Sequence, residues 1–68
     1  MQKYIATIYN PDGSVIENVK AEKEKNGWKI GGDTIEAWAG CRVTITPIGH
    51  EENWYYELKG CYLIKKYF

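Results

Sequence analysis

The chain has 68 residues, nine acidic and nine basic side chains, and 15% aromatic residues. That length admits one small domain, 1–68, and excludes two; the wealth of Trp and Tyr excludes a disordered segment. A formal net charge of zero removes the general basic excess that makes phosphate binding a default. No apolar run approaches the roughly 18 residues of a membrane span, and Met1-Gln2-Lys3-Tyr4 opens into a strand pattern without a signal-peptide core, so the expectation is a soluble cytoplasmic protein.

From Lys3 to Tyr9 apolar residues fall on both sides of a period-two alternation, as in a central or wrapped strand. Asn10-Pro11-Asp12-Gly13 predicts a turn: proline presets φ, aspartate suits the next position and glycine accepts positive φ. Ser14 to Glu24 predicts a second strand with Val15, Val19, Ala21 and Glu17 on one face and Ile16 on the other. That broken alternation implies a bulge at Ile16-Glu17-Asn18. Alternating charges from Lys20 to Lys25 mark a solvated stretch, and Asn26-Gly27 predicts a hairpin into Trp28-Lys29-Ile30.

Residues 33–39 read either as a strand, through Ile35, Ala37 and Ala39, or as a helical turn with Asp33 as N-cap, Glu36 as its capping-box partner and Gly40 as C-terminal cap. The helical turn is preferred. Cys41 to Thr46 is a clean strand with Cys41, Val43 and Ile45 inward and Arg42, Thr44 and Thr46 outward; Pro47 ends it or marks an edge. Ile48 to Asn53 reads as an exposed loop. Trp54 to Leu58 is a strand with Trp54, Tyr56 and Leu58 inward, and after the turn at Lys59-Gly60 the strand Cys61 to Phe68 completes the chain.

The fold class is therefore all-β with one short helical turn near 33–39: an antiparallel barrel or curled sheet of about five to six strands. The pattern resembles Src-homology-3-like and OB-like architectures, a likeness that implies no ligand.

Cys41 and Cys61 permit one disulfide or two free thiols; a reducing compartment favours half-buried thiols. With His50 the only histidine and no Cys-x-x-Cys, neither a metal site nor a cofactor is expected. Gly49-His50-Glu51-Glu52 is the one cluster of titratable groups, and a solvated loop tip explains it without catalysis. Asp33 and Glu36 are explained as capping residues, and Gly31-Gly32 lacks the lysine and hydroxyl residue of a phosphate loop.

The aromatic side chains carry the functional expectation, because they exceed what one small core absorbs. Tyr55 should face outward, joined by Tyr62 or Tyr67 across the last hairpin, while Trp28 and Trp38 flank Gly31-Gly32 and either frame a groove or fill the core. Lys65 and Lys66 beside Tyr62, Tyr67 and Phe68 form a basic-aromatic end that Arg42 can join. The leading expectation is a non-enzymatic module, an adaptor or inhibitor of the kind phages and mobile elements encode, binding a protein through Trp28, Trp38, Tyr55, Tyr62, Tyr67, Arg42, Lys65 and Lys66. Single-stranded nucleic acid is the alternative if the acidic residues segregate to another face; carbohydrate is a third. A last strand lying at a sheet edge would also permit a homodimer.

Overall fold

The computed structural model describes residues 3–25, 27–49, 53–60 and 62–68. Seven strands form one antiparallel sheet: β1 (Tyr4–Tyr9), β2 (Val15–Glu24), β3 (Gly27–Ile30), β4 (Asp33–Thr34), β5 (Arg42–Pro47), β6 (Trp54–Lys59) and β7 (Tyr62–Tyr67). Their order is β4-β3-β2-β1-β5-β6-β7, so β1 is central, as its two apolar faces require, and β7 is an edge.

The sheet curls into a half-barrel. Trp28 on β3 and Tyr56 on β6 stand four strand steps apart, about 19 Å in a flat sheet, yet their ring centroids are 5.4 Å apart. Curvature brings the concave side chains into one core: Ala6, Ile8, Ala21, Ile30, Val43, Ile45 and Leu58 are buried. Removing such a branched aliphatic side chain from water contributes about 1.5–3 kcal/mol.

Two features close the concave face. At the Tyr4 end, aromatic rings meet edge to face, with Tyr4 and Trp28 at 4.8 Å and Trp54 and Tyr56 at 5.1 Å. At the other end lies a 3-10 turn, Ile35–Trp38. Ile35 and Trp38 pack on the core, and the Trp38 indole N–H donates to the Ile30 carbonyl at 3.0 Å. Gly31 permits this closure. It has φ +62°, and a Cβ there would meet Val19 Cγ1 at 3.2 Å, so an alanine would be both strained and crowded.

The bulge expected at Ile16-Glu17-Asn18 is present. The β1–β2 register passes from Ala6↔Val19 to Ile8↔Ile16, and Asn18 adopts φ +59°, a conformation asparagine tolerates better than most residues. The extra residue reverses the expected faces: Ile16 lies opposite Ile8, and Val15 lies opposite Tyr9, away from Val19 and Ala21.

Turn chemistry is as expected at 10–13, where Gly13 has φ +92°. The Ser14 backbone N–H and hydroxyl both donate to Asp12 Oδ1, at 2.9 and 2.7 Å, which holds the Asp12 carboxyl below its ordinary pKa. The β2–β3 hairpin forms with Glu24 opposite Gly27, so Gly27 belongs to the strand; Asn26 lies outside the described residues. Asp33 is not the expected N-cap. It pairs with Ile30 in β4, and Thr34 occupies the cap position without a side-chain hydrogen bond, because the short ladder holds the backbone that capping would otherwise have to fix. Ala39, not Gly40, is the C-cap. Pro47 is the last residue of β5, an interior strand. The loop reading of His50-Glu51-Glu52 lies outside the described residues.

Candidate functional site

The alternation that buries Val43, Ile45 and Leu58 sends Arg42, Thr44, Tyr55 and Glu57 to the convex face. Register sets them side by side: Tyr9 opposite Arg42, Thr44 opposite Glu57, Glu57 opposite Ile64 and Tyr55 opposite Lys66. At the centre is Glu57, a carboxylate only 6% exposed. Arg42 Nε donates to its Oε2 at 2.6 Å, and Lys66 Nζ lies 2.6 Å from its Oε1. The hydrogen bond from Arg42, then that from Lys66, hold the Glu57 carboxyl at about 2 against the opposing effect of burial. Both cations are correspondingly raised.

A buried carboxylate bridging two cations orients them and leaves donors to spare. Arg42 uses its Nε on Glu57 while its guanidinium carbon lies 5.1 Å from the Tyr9 ring centroid. Its two terminal nitrogens remain on a side chain that is 56% exposed. Such a pre-oriented guanidinium suits recognition of a carboxylate or phosphate. Around it runs a shallow groove of about 270 Å³ lined by Tyr9, Arg42, Thr44, Thr46, Tyr55, Tyr67 and Phe68. The Tyr55 and Phe68 rings meet at 5.2 Å.

Three of the residues expected to bind, Arg42, Tyr55 and Lys66, therefore converge here, while Tyr67 borders the groove but has the concave parity of Trp54, which it faces, with Lys65 Nζ 5.8 Å from its ring centroid. The others lie elsewhere. Lys65 projects to the concave side, 4.3 Å above the Trp54 ring; Trp28 joins the Tyr4–Tyr56 ring cluster; Trp38 closes the opposite end of the core. Trp28 and Trp38 do not share a groove: the cleft beside β3 and β4 is lined by Trp28 and Ile35 but not by Trp38. Tyr62 is exposed at the far end of β7, opposite Lys59, and the ring that meets Tyr55 is Phe68, not Tyr62 or Tyr67. Tyr9 and Glu57 were missed. Their outward parity is legible in the alternation, but the register that gathers them around Arg42 is not.

Charge is only weakly divided along the chain: residues 12–36 carry six carboxylates against four lysines, and residues 42–68 carry Arg42, Lys59, Lys65 and Lys66 against Glu51, Glu52 and Glu57. Cys41 is a free, half-buried thiol that donates to Asn10 Oδ1 at 3.3 Å; Cys61 lies outside the described residues. Among the described residues no three His, Cys, Asp or Glu side chains gather as a metal site, and no helix is long and apolar enough to cross a membrane. No family model matches the chain, and no curated protein or solved structure is significantly similar to it.

Proposed function

We propose that the protein is a non-enzymatic binding module, an adaptor or inhibitor, whose partner is a protein with an acidic surface. The docking face is the convex side of β5–β7 around Arg42. The observation that carries this reading is the Arg42–Glu57–Lys66 ion cluster set among Tyr9, Tyr55 and Phe68. Arginine and tyrosine, held rigid beside exposed rings, are the side chains on which interface energy concentrates, and two cations around one carboxylate leave an excess positive charge for an acidic partner.

The test is affinity capture from the source cell with wild-type protein and with a Tyr67→Ala, Phe68→Ala double variant. These two side chains are 66% and 84% exposed, so the fold does not depend on them. A stoichiometric protein lost from the double variant supports the proposal; equal capture by both counts against it. Single-stranded nucleic acid is the second reading, favoured by the Tyr55–Phe68 pair as a stacking platform beside Arg42 and Lys66. Saturable, salt-sensitive binding of a random oligonucleotide would displace the first reading in its favour.

A further inference from the structure

β7 is a sheet edge six residues long, whereas the opposite edge, β4, has two. The three most exposed large apolar side chains among the described residues are Tyr62, Tyr67 and Phe68, all in this edge or directly after it. Natural edges are normally kept short, covered or charged, because their free backbone groups template another strand.

The direction of those backbone groups follows from the register. Pairs between β6 and β7 run from Trp54↔Tyr67 to Lys59↔Tyr62, and the Phe68 N–H donates to the Asn53 carbonyl at 3.0 Å. In an antiparallel ladder hydrogen-bonded pairs alternate with non-bonded ones. Counting back from Phe68, the backbone groups of Lys66, Ile64 and Tyr62 point at β6, and those of Leu63, Lys65 and Tyr67 point outward. The edge thus offers three donors and three acceptors along one line.

Charge selects the occupant. Lys65 and Lys66 lie on this edge and Lys59 faces Tyr62 beside it; among the described residues the carboxylate of β6, Glu57, is buried and already shared by Lys66 and Arg42. A second copy would bring an equally positive edge against this one, and the like charges oppose it. We infer that β7 is a strand-addition site for an extended acidic segment of a partner protein, which pairs its backbone with Leu63, Lys65 and Tyr67 and sets its carboxylates, which alternation places on one face, beside Lys65. This rests on the proposed docking face and extends it to its edge.

The probe is a short capped peptide of alternating glutamate and valine, added to isotope-labelled full-length protein and followed by amide hydrogen exchange. In the free protein the amides of Leu63, Lys65 and Tyr67 exchange fast and those of Ile64 and Lys66 slowly. At saturating peptide the first three become protected at least about ten-fold, and binding weakens with added salt. Lys65→Pro removes an outward N–H without touching the β6 ladder and abolishes binding; Lys65→Thr removes the same ammonium but retains the N–H and keeps binding, weakened.

Equal loss in both variants would overturn strand addition. So would peptide binding that perturbs Arg42 and Tyr55 without protecting the three amides, a result that leaves the docking face standing. Absence of any binding at millimolar peptide overturns the inference, while loss of partner capture in the Tyr67→Ala, Phe68→Ala variant would still uphold the docking face. Protection of the three amides that rises with protein concentration alone would assign the edge to a second copy.

Discussion

The two faces of β5–β7 are built from alternate residues of the same strands, yet they do opposite work. On the concave side Val43, Ile45 and Leu58 are buried in the common core, and Tyr56 and Trp54 extend that apolar surface as ring contacts. On the convex side of these strands the one buried residue is Glu57, flanked by Arg42, Lys66 and Thr44 with Ile64 opposite it on β7. Period-two alternation therefore divides the aromatic surplus: Tyr4, Trp28, Trp54 and Tyr56 hold the half-barrel shut, and Tyr9, Tyr55 and Phe68 surround an ion cluster. The difference teaches that stability and binding are separable in this chain by residue parity.

Breaking the concave side should have the largest effect. Ile45→Ala deletes a fully buried side chain and should cost about 2–5 kcal/mol, enough to unfold much of a domain whose total stability is on the order of 3–10 kcal/mol; chemical denaturation measures it. Trp28→Leu removes edge-to-face contacts with both Tyr4 and Tyr56. A loss of about 1–3 kcal/mol is expected, with a change in near-ultraviolet circular dichroism as the rings lose their fixed packing.

Effects on the convex side should be smaller in stability and show a pH signature. Glu57→Gln leaves a buried polar group facing two cations and should cost about 1–2 kcal/mol at neutral pH, less than a fully buried pair because Arg42 and Lys66 stay partly hydrated. The Glu57 carboxyl sits at about 2 in the fold against an ordinary 4.5. Its contribution is therefore fully present above pH 4.5 and is lost as pH falls from there towards 2. Urea midpoints measured across that window should drop more steeply for the wild type than for Glu57→Gln; parallel curves would remove Glu57 from the acid response. The smallest stability effect belongs to Tyr67→Ala with Phe68→Ala, within about 0.5 kcal/mol of wild type.

Much of the fold was legible because the local signals agreed with one another. Pro11-Asp12-Gly13 named its own turn, Cys41 to Thr46 named its inward and outward faces, and the broken alternation at Ile16 located the bulge. The bulge's consequence was not legible, since which of Val15 and Ile16 ends on the concave side depends on which β1 residue each faces. Residues 33–39 carried two competing signals and resolved into both, a two-residue strand and then a 3-10 turn, because pairing with β3 captured Asp33 before it could cap. The site was half legible. Arg42, Tyr55 and Lys66 were found by type and parity, whereas Lys65 and Tyr67 differ from Lys66 in which face alternation gives them, and Trp28 is drawn inward by a curl that no local pattern encodes. Glu57 looks like any outward glutamate until register places it between Arg42 and Lys66.

The most direct test of the division into two faces is to measure the stability and the partner capture of the Tyr67→Ala, Phe68→Ala variant in the same preparation. The account predicts an unfolding midpoint indistinguishable from wild type together with loss of the captured protein. A variant that unfolds early, or one that is stable and captures the same partner as wild type, would contradict it.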